Sequence, residues 1–413
     1  MVDLMQKIDS SIVTYAVFIF ALIIVLINLV SLVFPTFLVT QASESAIGEN
    51  PYDLGAWAAP VIITNIGVLV FGILFYKNKM PDTIKKSIKT IYNFEVSKNV
   101  ATFVFIILLF GYIGFAMSDI GEDEGDTWGD YPNLLGVIEK WPEQQGGRNA
   151  SLEILHVKNF LIKSSLVLFD NPKVIPFAES IALVILTYFF TVQIAQKRFA
   201  GLVAMMVLIQ SYTFLRFDTL MTYANDWTLF YLLSLYLIVK KWPISPFSYI
   251  ASVFSKPLTV PFFPLTLFFT YRAEIPRRKK FYVLISYAVM PIMLVAGILF
   301  LGIDFGGSTS LRNIVFNSSL FWNGFTTWSY QLRFDTVFLL FILPLVVGLF
   351  LKSRDGMKQA DSILVLIAGV ILAMPLLAAI AGFNLHPYRY VPLIVFFAIG
   401  VGTLFSNKVK QAV

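Results

Sequence analysis

The stretch "VATFVFIILLFGYIGFAMSDIGEDEGDTWGDY", residues 100–131, joins a long apolar run to six carboxylates in the twelve positions from Asp119 to Asp130, with no Lys or Arg among them. A helix rises about 1.5 Å per residue, so about 20 apolar residues cover the ~30 Å of bilayer hydrocarbon. The run ending at Met117 passes that length test, and the acids stand at its edge.

The same test applied outward classes the chain as an all-α polytopic membrane protein. Its 413 residues are 57% hydrophobic, 16% aromatic and 14% charged, with a mean hydropathy of +0.76, far from the composition of soluble domains. We expect about ten full crossings, near 12–34, 57–76, 100–118, 174–195, 199–215, 226–239, 281–303, 335–351, 362–382 and 389–405. The first, Ile12 to Phe34, exceeds a signal-peptide core and lacks a small-residue cleavage pattern, so it reads as a retained span. Cysteine is absent, which removes disulfides, thiolate chemistry and zinc-thiolate sites.

The net charge of +6 does not point to nucleic acid, because the basic residues form short clusters between apolar runs and act as topology signals. The segment 77–98 has six lysines, and "QKR" (196–198), "KK" (240–241), "RRKK" (277–280) and "KSR" (352–354) fall on its side of the membrane if both termini are cytoplasmic. Residues 35–56 contain no basic residue and belong outside, with the acidic stretch. The expected location is a plasma membrane in a cell envelope, the acids on its outer face.

Between "KK" at 240 and "RRKK" at 277 the alternation fails, since both ends are expected inside. Five prolines from Pro243 to Pro264 favour a broken-helix hairpin meeting near Ser255-Lys256-Pro257. The outer segment 119–173 is long for a connector, and its "LEILHVKNFLIKSSLVLF" (152–169) mixes apolar residues with Glu153, Lys158 and Lys163 as an interfacial helix does. A second outer segment, 304–334, holds Phe321, Trp322, Phe325, Trp328 and Tyr330, an aromatic belt or lid. The sequons at Asn149 and Asn317 agree with this sidedness, and a nucleotide-binding P-loop is absent. The chain therefore divides into 1–98, two spans with a basic inner loop; 99–272, a core with the acidic outer loop; and 273–413, the C-terminal spans.

Ionisable groups at membrane depth are costly, and four clusters qualify as functional candidates. The first is Asp119, Glu122, Asp123, Glu124 and Asp126, readable as a solvated loop or as containing a general base whose pKa is raised by crowding near lipid. Next come Arg216, Asp218 and Asp226 around a short outer turn, where Arg216 and Asp218 also suit a structural pair. Third is Lys256, which either snorkels or holds an anion; fourth are His386 and Arg389, beside the interface anchors Tyr388 and Tyr390. Cations that hold a lipid phosphate beside a carboxylate that takes a proton would make a transferase site.

With these residues in place, the layout resembles the GT-C superfamily of polyprenyl-phosphate-sugar-dependent glycosyltransferases, which contains protein O-mannosyltransferases and aminoarabinose transferases. The resemblance rests on Asp123-Glu124 after an early span, on "NDWTLFYLLSLYLIVKK" (225–241), on the Lys-containing "SVFSKPLTVPFFPLTLFF" (252–269) and on "PYRYVPLIVFFAIG" (387–400). It implies a GT-C-like fold and inverting sugar transfer from a polyprenyl-phosphate donor to a lipid, glycan or protein acceptor. Asp123 or Glu124 would be the base, with Asp119 and Asp126 as competitors, and a divalent cation, Mg or Mn, would bind at Asp123 and Glu124 if anywhere. Lys256 and Arg389 would hold the phosphate, with Asp226, Arg216 and His386 supporting. The two spans before residue 99 stand outside the pattern, which leaves 35–56 as the alternative place for the family loop. Two other readings fit the same residues: a secondary transporter, or a noncatalytic subunit of a membrane complex.

Overall fold

The structure, a computed structural model, describes residues 2–38, 50–125, 129–141, 156–300, 316–381 and 386–406. Among them the chain is all-helical, 81% helix with no strand. Among the described residues seven helices are long and apolar enough to cross a membrane: Ser11–Val33, Ala58–Tyr76, Lys98–Gly121, Val174–Ala195, Thr336–Arg354, Lys358–Ile380 and Pro387–Leu404. The three other expected crossings fall on helices of 12, 15 and 24 residues, Arg198–Ile209, Asp226–Lys240 and Arg277–Phe300. At about 1.5 Å per residue the first of these reaches only about 18 Å.

The chain divides into two compact units that interleave along the sequence. One unit comprises 1–104, 188–213 and 314–413; the other, 105–187 and 214–313.

In the first unit α1 (Val2–Val33) packs against α14 (Ser318–Gln331), α15 (Thr336–Arg354) and α16 (Lys358–Ala381), while α17 (Val391–Leu404) packs against α8 (Arg198–Ile209), α15 and α16. Lipid competes for apolar faces, so close backbone approach and interhelical hydrogen bonds hold such helices together. At Gly402 a Cβ would stand 2.5 Å from the Ala200 carbonyl oxygen, and at Gly324 one would stand 2.6 Å from Pro375 Cα. Polar ties cross the same seams. Thr14 donates to Asp361 at 2.9 Å, the Ser31 hydroxyl donates to the Phe325 carbonyl at 3.0 Å, and the Asn317 amide donates to the Ala379 carbonyl at 3.0 Å. Of the aromatic residues expected to form a belt or lid, Phe325 and Trp328 are instead core groups of α14. By contrast α2 (Ala58–Tyr76) leaves most of its apolar surface uncovered, Ile63 being 70% exposed.

Three of the basic loops meet at one place in this unit. The Lys197 ammonium donates to the Tyr92 carbonyl at 2.7 Å, the Arg198 amide donates to Glu95 at 3.1 Å, and the Lys352 ammonium sits 4.4 Å from the Tyr92 ring centre.

In the second unit α10 (Asp226–Lys240) packs against α11 (Ser245–Ser255), which also meets α6 (Val157–Phe169). The short α5 (Tyr131–Lys140) lies on α6 through Ile138, Ile162 and Met221. One side of α6 is buried at Asn159, Ile162 and Ser165, while Phe160, Val167 and Leu168 are exposed, an arrangement suited to an interface. Helix α11 stops at Ser255 and a 3-10 segment begins at Pro257, leading into α12 (Phe263–Arg272). The ring of Pro257 disfavours helical backbone at the preceding residue, and Lys256 is extended at φ −155°, ψ 116°.

Candidate functional site

The second unit contains a loop, residues 217–225, that is buried throughout. Buried backbone must find partners, and two charged side chains supply them. Glu124, 2% exposed, accepts from the Met221 amide at 2.5 Å, the Thr222 amide at 3.1 Å and the Thr222 hydroxyl at 2.8 Å. The Lys158 ammonium donates to the Thr222 carbonyl at 2.6 Å. From the other side the amide nitrogen of Asn225 donates to the Ser180 hydroxyl at 3.2 Å and to the Phe217 carbonyl at 3.3 Å.

The acidic stretch is itself folded around a cation. Lys173, 3% exposed, donates to the Asp119 carbonyl at 3.0 Å and the Glu122 carbonyl at 2.7 Å, and stands 4.0 Å from the Glu124 carboxylate. This leaves the neighbouring Asp123 exposed. One of its oxygens accepts from the Gly125 amide at 2.8 Å in a local turn, while Asp119 accepts from the Ser118 hydroxyl at 2.9 Å. Asp130 accepts from the Tyr223 hydroxyl at 2.9 Å. Asp126 lies outside the described residues.

Behind the loop is a cluster of charges. Lys158 sits among Asp226, Glu124, Glu179 and Asp130; burial pushes its amine below the ordinary lysine range, and the carboxylates oppose that push. Asp226, 1% exposed, is the first residue of α10 and faces both Lys158 and Lys256. A carboxylate there is favoured by the positive end of the helix dipole. Among the described residues neither oxygen of Asp226 has a donor in hydrogen-bonding geometry, although the Ser255 hydroxyl and the Trp227 amide lie near it. Buried orphan acceptors are rare and call for an explanation. Glu179 Oε1, His156 Nδ1, Trp227 Nε1 and Thr228 Oγ1 are likewise buried without a partner among the described residues. The His156 imidazole is driven down to about 4, by burial first and then by the charges of Lys158 and Lys256, and is therefore neutral at pH 7.

Lys256 is half-buried, its ammonium 5.6 Å from the centre of the Trp227 ring, within cation–π range. Its backbone is fixed: its amide donates to the Ser252 carbonyl at 2.9 Å, and the Thr259 amide donates to the Lys256 carbonyl at 3.0 Å. The Ser252 hydroxyl in turn donates to the Trp227 carbonyl at 2.6 Å, which ties the helix break to the head of α10. Flanking the break is a wholly apolar cavity of about 500 Å³, lined by Val253, Phe254, Val260, Pro261, Phe263 and Met290 among others.

Of the residues singled out from the sequence, the second unit thus brings Glu124, Asp226 and Lys256 into one charge cluster with Lys158 at its centre. Arg216 is exposed at the end of α9 (Tyr212–Arg216). Asp218 is buried beside Tyr112, and burial first, with the charge of Asp119 adding to it, pushes its carboxyl up to about 7. His386 and Arg389 belong to the first unit. There His386 stacks on Tyr388 at 6.0 Å, and the buried Arg389 donates from Nε to the Tyr388 hydroxyl at 3.2 Å.

Lys158, Lys173, His156 and Glu179 were not anticipated as site residues. Glu179 carries a visible signal, a lone acid in the apolar run 174–195. A divalent cation fits poorly at Asp123 and Glu124. Glu124 is already met by Lys173 and three hydrogen-bond donors, and among the described residues no three His, Asp or Glu side chains converge to ligate an ion. Compared with known protein families, with curated proteins and with solved structures, the chain matches none.

Proposed function

We propose that this chain is a membrane transferase of GT-C-like architecture that moves a sugar from a polyprenyl-phosphate donor to a hydroxyl of a lipid, glycan or protein acceptor. The observation that carries this reading is a juxtaposition within the second unit. Two lysines and an orphaned buried carboxylate stand at a helix break whose flanks line a cavity of about 500 Å³ with no polar surface. A donor made of a long apolar chain, a phosphate and a sugar carries the groups that complement the cavity, the lysines and the orphan polar atoms.

In this reading Lys158 and Lys256 hold the donor phosphate, and the cavity takes the first isoprene units. Glu124 positions the 217–225 loop, because its lone pairs are committed to backbone and hydroxyl donors. Asp123, exposed and with one oxygen uncommitted, is the base. It takes the acceptor hydroxyl's proton as that oxygen attacks the anomeric carbon. The bond from that carbon to the phosphate oxygen breaks, the anomeric centre inverts, and polyprenyl phosphate leaves with the bonding electrons against the two lysines. Asp226 and Glu179 take hydrogen bonds from the sugar hydroxyls. The ten-crossing topology, with the site on the outer face of a plasma membrane, is part of the proposal. It is supported by the meeting of Lys197, Arg198 and Lys352 with the 92–95 backbone, which puts three basic loops at one end of the first unit.

The test is release of polyprenyl phosphate from labelled donors by the full chain in nanodiscs. Asp123→Asn should lower turnover by about 10² to 10⁴, the usual worth of a positioned base, and leave donor binding within about twofold. Undiminished turnover in that variant would remove the assigned base. Donor movement across vesicles without phosphate release would assign the site to a transporter.

A further inference from the structure

We infer that α3 (Asp82–Asn93) docks on an anionic membrane leaflet, its isoleucines against acyl chains and its lysines on lipid phosphates. This helix belongs to the first unit and shares no residue with the transferase site. It lies between α2 and α4 (Lys98–Ala116), both parts of candidate spans, and only residues 77–81 separate it from the end of α2. That short link keeps it within reach of the bilayer plane whatever else the protein binds.

Successive residues on a helix turn by about 100°, so Ile84, Ile88 and Ile91 fall within about 60° of arc, and Lys85, Lys86 and Lys89 occupy the adjoining arc. No residue of α3 is buried, and Ile84 and Ile91 are 40% and 56% exposed. The three lysines line a shallow concave surface with Thr90 and Asn93, and the acids Asp82 and Glu95 also line it. The helix is fastened at its ends: the Lys85 ammonium donates to the Asn78 carbonyl at 2.9 Å and pairs with Asp82 at 3.4 Å, while at the far end Lys197 meets the Tyr92 carbonyl and Lys352 covers the Tyr92 ring. The segment 77–98 holds six lysines against two acids, Asp82 and Glu95. An uncovered apolar stripe bordered by lysines needs a partner with hydrocarbon beneath negative charge. The leaflet entered by the neighbouring helices offers both.

The absence of cysteine makes the test direct, because one introduced thiol carries one spin label. The full chain with Ile91→Cys or Thr90→Cys is labelled and placed in nanodiscs of phosphatidylcholine, with or without phosphatidylglycerol. With phosphatidylglycerol present, the label at 91 should gain oxygen accessibility and lose contact with an aqueous nickel chelate, while the label at 90, about 130° round the helix from the centre of the isoleucine stripe and beyond the lysines, stays in contact with the chelate. The combined variant Lys85→Gln, Lys86→Gln, Lys89→Gln should cancel the lipid response. Each lysine near an anionic surface is worth about fivefold in association, so preference for spin-labelled phosphatidylglycerol over phosphatidylcholine should fall toward unity. Equal accessibility at both positions, or an undiminished response in the lysine variant, would overturn the inference. So would a label at 91 that ignores phosphatidylglycerol but is shielded by a soluble acidic peptide, which would assign this face to a protein partner.

Discussion

Two carboxylates stand in the same sequence setting, each at the head of an apolar helix: Asp335 before α15 in the first unit, and Asp226 at the start of α10 in the second. Their surroundings differ. Asp335 accepts from the Ser211 hydroxyl at 2.5 Å, the Thr213 amide at 3.1 Å and the Thr213 hydroxyl, so its capacity is used inside the unit. Asp226 has two lysines in its field and no donor in hydrogen-bonding geometry among the described residues. The first arrangement is finished and the second is not. A buried acid with satisfied lone pairs is an anchor, whereas a buried acid held only by charge still has hydrogen bonds to offer a ligand.

The contrast breaks most decisively at the lysines. If Lys158 and Lys256 hold a phosphate, replacing both by Gln removes two charge-assisted contacts worth about 1.5–3 kcal/mol each, and donor affinity should fall by about 10² to 10⁴. The fold should survive, because the Lys158 contact to Thr222 is one of several that hold the loop. Equilibrium binding of a radiolabelled polyprenyl-phosphate sugar measures this, and affinity retained in the double variant would reduce the cluster to a structural network.

Stability separates the two acids next. Asp335→Ala takes away the carboxylate that accepts from the Ser211 hydroxyl and from the Thr213 amide and hydroxyl, a loss of about 3 kcal/mol at the usual cost of breaking buried hydrogen bonds to a charged group. Asp226→Asn relieves one desolvated charge but takes from Lys158 one of the four carboxylates around it, so the two effects offset and the loss should stay below that of Asp335→Ala, at about 1 kcal/mol. Unfolding midpoints in mixed detergent micelles measure both. Equal losses would erase the distinction.

The sequence made part of this legible. The helix break at Lys256 follows from the local rule that proline restricts the residue before it, and the acid at the start of α10 is visible where charge meets an apolar run. What separates Asp335 from Asp226 is invisible at that level. The donors to Asp335 come from positions 211 and 213, more than a hundred residues upstream, and no periodicity connects them. Lys158 reads locally as a charge on an interfacial helix; only the return of the chain at 217–226 turns it into the centre of a cluster. Glu124 and Asp123 look interchangeable in sequence, yet the buried loop occupies one and leaves the other exposed.

A last effect sharpens the comparison from the side of pH. Burial, reinforced by Lys158 and Lys256, lowers the His156 imidazole to about 4, against 6.5 for a free histidine. Between those values the unfolded chain binds a proton that the folded chain does not. Stability is therefore complete above about pH 6.5, declines as the pH falls, and has lost the full contribution near pH 4, on the order of 3 kcal/mol. The excess loss belongs to the second unit, where His156 shares its pocket with the lysines. His156→Gln keeps a neutral polar side chain there and removes the titration, so the variant should lose less stability than the native chain between pH 6.5 and 5, above the range where ordinary carboxylates titrate. Parallel curves for the two proteins would show that His156 is free to charge in the fold, and would take away the electrostatic neighbourhood that sets Asp226 apart from Asp335.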